Sequence, residues 1–172
     1  MDQTQWWGDL PSWITTAAIA IAALQYFNDR KRRAAEESRE SKAQATGLTA
    51  WTVSDVIKPE PKPKPLGVVI SNTSGSTFHD IEITVKIGGK QTVAPINLEI
   101  MPPGQYFIAY TPRSEDRLWQ FARIVERYEG ELQPYMNTSG FQIMSMSFAD
   151  NLNQRWSTDA RAVLTAIPAE AP

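Results

Sequence analysis

The chain has no cysteine and a single histidine, His79, among its 172 residues. Without thiols there is no disulfide, no zinc–thiolate site, no iron–sulfur cluster and no cysteine nucleophile. With no second histidine, His79 lacks the companions a usual metal or catalytic site needs. No phosphate-cradling glycine loop, nucleophile elbow or zinc motif occurs either. Excess positive charge is also missing. The net charge is −2 and the pI about 5.5, whereas a nucleic-acid binder shows a basic face and a high pI. The composition therefore suggests no enzyme, no cofactor, no bound metal and no nucleic-acid partner.

A different absence is local. Residues 10–27 contain no charged side chain, and Arg30-Lys31-Arg32-Arg33 follow almost at once. A hydrocarbon core of about 30 Å needs about 20 helical residues, so 18 lies near the lower limit. Trp6, Trp7 and Trp13 stand at one end and Tyr26 and Phe27 at the other, as two aromatic belts would. The expectation is a single transmembrane helix within residues 1–28. Positive residues favour the cytoplasmic side, which would put the larger carboxyl part in the cytosol of a cell-membrane protein. The same basic cluster can hold anionic headgroups. Three readings compete with this one: a cleaved signal peptide, a buried helix of a soluble protein, and an amphipathic helix lying on a surface. The acidic start, with Asp2 and Asp9, speaks against the first. Apolar residues on all sides speak against the last. Ala18 and Ala22, with Thr16 and Ala20, have the small-xxx-small spacing that lets helices approach in lipid, so a homo-oligomer is a further expectation.

Residues 29–46 are charged and helix-favouring, with Asp29–Arg33, Arg32–Glu36 and Arg33–Glu37 four apart. They read as a helical stalk stopped by Gly47. After Gly47 the pattern alternates, and residues 47–167 read as one sandwich domain of short strands, with 168–172 a loose tail. Trp51 and Val53, with Val56, are the inward residues expected in a first strand over 48–57. Prolines at 59, 61, 63 and 65 favour an extended connection. Ile81, Ile83, Val85 and Ile87 alternate with Asp80, Glu82, Thr84 and Lys86, the pattern of a sheet with one dry and one wet face. Residues 91–100 offer another strand with Ile96, Leu98 and Ile100 inward, and residues 105–110 a further one. Leu118, Phe121, Ala122, Val125 and Tyr128 recur at helical spacing between Ser114 and Gly130, predicting one short accessory helix. Residues 141–148 and 154–158 read as a hairpin, and 162–167 as a last strand.

The succession Val68-Val69-Ile70-Ser71-Asn72-Thr73-Ser74, Asp80-Ile81-Glu82-Ile83-Thr84-Val85 and Met101-Pro102-Pro103-Gly104 resembles immunoglobulin-like sandwich domains. The whole arrangement is similar to a group of uncharacterised membrane-anchored proteins of actinobacteria and their phages. The residues that carry this likeness are Leu10-Pro11-Ser12-Trp13-Ile14-Thr15-Thr16, Asp29-Arg30-Lys31-Arg32-Arg33, and the stretch from Phe148 through Asp150 to Trp156. Met101 stands where that pattern has leucine, and Asn153 where it has glycine. The resemblance implies an architecture and supplies no activity.

Candidate chemistry is sparse. Asp80 and Glu82 lie two apart on one strand face, as a carboxylate pair can for acid–base work, but a solvated face shows the same alternation. Asp150, Asn151 and Asn153 resemble an oxygen-rich calcium loop without its remaining ligands, so a turn is the simpler reading. Trp156 suits the core. Trp119 falls off the apolar stripe of the proposed helix and is the candidate contact for a protein partner. The sequence thus suggests a single-pass, membrane-anchored, non-catalytic protein-interaction module with an unidentified protein partner. The alternatives are an oligomeric membrane-perturbing or channel-associated protein, a phage-encoded one included, and a hydrolase with its site on the sandwich rim.

Overall fold

The computed structural model describes residues 10–56, 66–91, 94–111 and 118–168; within its helix, side chains are described from Thr16 onward. Trp6, Trp7, the Trp13 side chain, the proline-rich connection and the tail from residue 169 lie outside the described residues. The chain divides into two compact units, Met1–Glu40 and Ser41–Pro172.

The first unit carries most of one helix, α1 (Leu10–Ala45). No proline or glycine interrupts it after Pro11, and Pro11 sits in the first turn, where a missing N–H costs nothing. Stalk and apolar stretch are therefore one continuous helix. It ends where expected: the Thr46 and Gly47 N–H groups bond back to the Lys42 and Gln44 carbonyls. Among the described residues, no helix is long and apolar enough to cross a membrane.

The second unit is mainly β: two antiparallel sheets with a shared core, as in a sandwich. The first sheet runs β7-β6-β2-β1-β8, with β1 (Leu48–Val56), β2 (Leu66–Asn72), β6 (Gly104–Tyr110), β7 (Arg123–Ile124) and β8 (Glu131–Pro134). The second runs β11-β10-β9-β3-β4, with β5 also paired to β3. Its strands are β3 (Phe78–Ile87), β4 (Lys90–Gln91), β5 (Ile96–Met101), β9 (Phe141–Ala149), β10 (Arg155–Asp159) and β11 (Leu164–Ile167). Val68, Ile70 and Ile108 from the first sheet meet Ile81, Ile83, Val85, Phe148 and Trp156 from the second in one dry cluster. Asn72, also buried, stitches a loop: its side chain donates to the Ser76 and Met101 carbonyls and accepts from the Ser74 N–H.

Two expectations need correction. Ile100 was placed inward, yet it is 58 % exposed. An extra residue in β3 explains this. Its register against β9 shifts between His79 and Glu82, and Asp80 takes a left-handed φ of 50°. Such a bulge changes which residues face inward. Phe78 and its partner Met101 therefore point to the core, leaving His79 and its partner Ile100 outside. The second correction concerns the accessory helix. Residues 118–130 instead form a bridge from Trp119 to Tyr110, the two-residue β7 and one 3-10 turn, Val125–Arg127. Their backbone groups bond to the β6 side: the Thr111 N–H reaches the Leu118 carbonyl and the Gln120 N–H the Ala109 carbonyl. Sheet pairing has replaced helical bonding.

This segment covers the outer face of the first sheet. Val53, Val69 and Phe107 are buried there under Val125 and Tyr128, with Leu132 of β8 beside them, so β2 and residues Thr52 to Asp55 of β1 are buried on both faces. Gly67 makes the packing feasible, since a Cβ at that position would lie 2.6 Å from the Ile108 carbonyl oxygen and against the Phe107 ring.

The tightest aromatic contact of the main core sets a test. Phe148 packs edge-on to Phe78, with ring centroids 5.1 Å apart. Phe148→Ala should cost about 3–5 kcal/mol, read as a lower melting temperature by circular dichroism. A loss below about 1 kcal/mol would show that the two sheets do not share this core.

Candidate functional site

The residues singled out from sequence do not converge. His79 is exposed at the outer side of the β3 bulge. Asp80 lies 3.6 Å from Arg155 in an ion pair with both side chains open to solvent, and Glu82 is exposed further along the strand. Among the described residues no group of three or more His, Cys, Asp or Glu could hold a metal ion. Trp119 is half-buried. Its indole N–H donates to the Ala94 carbonyl at 3.0 Å, and its ring packs 5.1 Å from that of Tyr110. Tyr26, Phe27, Arg30, Lys31, Arg32 and Arg33 are all exposed on α1.

Asp150 is the most connected polar group. It is buried at the β9–β10 turn. One carboxylate oxygen accepts from the Leu152 and Gln154 N–H groups, both at 2.9 Å. The other accepts from the Ser41 hydroxyl at 2.6 Å and the Trp156 indole N–H at 3.0 Å. Asn153 closes the turn with a φ of 62°, which asparagine tolerates better than most residues. Burial alone would raise the Asp150 pKa, but these four donors together hold it below its ordinary value of 3.8. With both oxygens occupied, the residue is a turn and packing element, and it offers no free face for calcium. The sequence showed the turn and the core position of Trp156. Ser41, 109 residues away in a charged helix, carried no signal.

A second buried carboxylate, Asp55, sits on the outer face of the first sheet and accepts from the Tyr128 hydroxyl. Burial, and then the bond to Asp55 and its charge, push the Tyr128 phenol up to about 12. The other Asp55 oxygen has no hydrogen-bond partner among the described residues. It lies against Gly130, where a Cβ would come within 2.6 Å of it.

A cavity of about 340 Å³ opens between the sheets. One wall is the first half of β1, including Leu48 and Ala50; the other comprises Phe141 and Met146 of β9 and Leu164 of β11. Tyr135, Met136 and Thr138 cross from one sheet to the other at its edge. The Thr52 hydroxyl bonds to the Phe141 carbonyl at 3.0 Å and ties the two walls together.

No protein-family model, no curated protein and no solved structure matches the chain. The geometry alone must therefore carry any functional reading.

Both buried carboxylates make checkable demands. Asp150→Asn should lower stability by about 3 kcal/mol. The wild-type contribution is present above the unfolded carboxylate value and is lost as pH falls through the lower folded one. The melting temperature of the wild type should therefore drop more steeply than that of the variant as pH falls below the ordinary carboxylate value of 3.8; parallel curves would contradict the assignment. For Tyr128 the sign is reversed: its contribution holds below about pH 10 and fades toward 12. Tyr128→Phe should remove the highest-pH component from an ultraviolet titration of the tyrosines and cost about 1–3 kcal/mol.

Proposed function

We propose that the chain is a membrane-tethered, non-catalytic protein-binding module: a helix held in a bilayer and an immunoglobulin-like sandwich presented on its cytoplasmic side. One observation carries the tether. Ile19, Ile21, Leu24, Tyr26 and Phe27 are 57 to 66 % exposed on α1. At 3.6 residues per turn they spread over roughly 220° of the axis, and the remaining sector carries Ala18, Ala22 and Gln25. A protein groove covers one stripe of a helix, whereas a helix apolar all round suits lipid or a large core. Among the described residues no helix is long and apolar enough for a span; the proposed anchor is the uncharged stretch from Leu10 to Phe27, which forms the first half of α1.

The flanks support this reading. Tyr26 and Phe27 stack edge-to-face, with centroids 5.9 Å apart, just ahead of Arg30-Lys31-Arg32-Arg33. Among the described residues no ion pair engages those four cations. Aromatic rings at the interface followed by free positive charge give an anchor its depth and its sidedness. The binding role rests on the sandwich, whose nearest chemistry is structural: Asp150 and Asp55 are committed to packing.

Alkaline extraction of cell membranes tests the tether. The full-length chain should stay in the pellet and come off only with detergent. Ile19→Asp with Ile21→Asp should release it into the supernatant, because each charge at the bilayer centre costs about 2.5–3.5 kcal/mol. Wild-type chain soluble without detergent would end the proposal.

A further inference from the structure

The first half of β1 is paired by a strand on one edge only; at the other edge Leu48 is 3 % exposed and Ala50 half-buried, and both line the cavity. On the β2 side, the Gly47 carbonyl accepts from the Thr73 N–H. On the opposite side, the Thr52 carbonyl accepts from the Tyr135 N–H. Main-chain groups alternate sides along an antiparallel strand, so Leu48 and Ala50 turn theirs the same way as Thr52. β8 does not reach them, since its register with β1 covers only Val53 to Val56. Among the described residues no hydrogen bond meets the Leu48 or Ala50 backbone on that side. Two such residues lie about 7 Å apart along a strand, the repeat of alternate residues in any extended chain.

The cavity runs beside this same half-edge. It is apolar inside, with Leu48, Phe141, Met146 and Leu164, and polar at the mouth, with Thr138 and Thr158. Asp159 is the one charged side chain among the lining residues. The Arg161 and Val163 N–H groups both bond to its carboxylate at 2.9 Å and keep it ionised. The mouth therefore favours a neutral or basic occupant over an acidic one.

We propose that the unpaired half-edge of β1 takes an extended, neutral-to-basic peptide segment of a partner protein, added as a strand in line with β8, with an apolar side chain in the cavity. Strand addition draws affinity from main-chain bonds and specificity from the alternate side chains. The segment supplies donors and acceptors to Leu48 and Ala50, which a compact small molecule does not match in pairs. This inference rests on the reading of the sandwich as a binding module and gives it a location; it is independent of the tether.

The test uses the full-length chain, isotope-labelled, in detergent micelles. The probe is a capped seven-residue peptide of alternating threonine and valine with lysine at both ends. It should shift the Leu48 and Ala50 amide signals and slow their hydrogen exchange at least tenfold. The same peptide N-methylated on alternate residues should bind at least tenfold more weakly, and a version with glutamate ends severalfold more weakly. Ala50→Pro removes an N–H that β2 does not use, and edge positions tolerate proline; it should keep the sandwich folded and abolish binding. If that variant does not fold, the N-methylated pair still decides.

No saturable binding at millimolar peptide, or equal binding of the N-methylated form, overturns the proposal. So does concentration-dependent protection of Leu48 and Ala50 without peptide, which would assign the edge to a second copy of the chain. Loss of peptide binding in a chain that still pellets with membranes would remove the groove and leave the tether standing.

Discussion

The sandwich depends on where one buried carboxylate finds its donors. Asp150 satisfies a turn through one oxygen and reaches both a core indole and the last turn of α1 through the other. Burying an ion costs several kcal/mol unless its lone pairs are met, and here all are met by neutral donors already needed elsewhere. The Trp156 N–H would otherwise be an unpaired donor in the core. The backbone groups at 152 and 154 would otherwise have no partner inside the turn. One side chain thus resolves the polar demands of a hairpin, a tryptophan and a helix end together.

Much of the architecture was legible because it rests on local pattern. The alternation from Ile81 to Val85 identified β3 as half-wet, and burial follows it residue by residue. Strands at 104–110, 141–149 and 155–159 fell close to their expected places for the same reason. What was hidden depended on contacts distant in sequence. The helical spacing of Leu118, Phe121, Val125 and Tyr128 is real, but β6 offered the segment's N–H and carbonyl groups better partners than its own next turn. β8, Glu-Leu-Gln-Pro, is only four residues long and ends in proline, too little for its pattern to signal a strand, and it is one because β1 pairs with it. The slip at Ile100 followed from a single left-handed residue, Asp80, in another strand. The cavity was likewise invisible, since it exists where β8 stops and not where any motif begins.

The two sheets are unequal in a way that matters for binding. The centre of the first, β2 with the second half of β1, is buried on both faces because residues 118–130 roof its outer side. Its inner face shares the main core, so its remaining contact with solvent is largely at its edges. Sheet edges are ordinarily defended by charge, proline or cover. Pro134 at the end of β8 fits that rule, and β7 is only two residues long. The first half of β1 has neither charge nor proline, and that contrast distinguishes it from the β8 edge of its sheet.

The reach of the Ser41–Asp150 bond also sets an order of events during synthesis. The two partners are 109 residues apart, and ribosomes add about 5–20 residues per second. The helix end therefore waits roughly 5–20 seconds for its acceptor. Throughout that interval the apolar first half of α1 is already made while the sandwich is not. The two halves of this bond thus become available one after the other, and the helix end is made well before the turn that receives it.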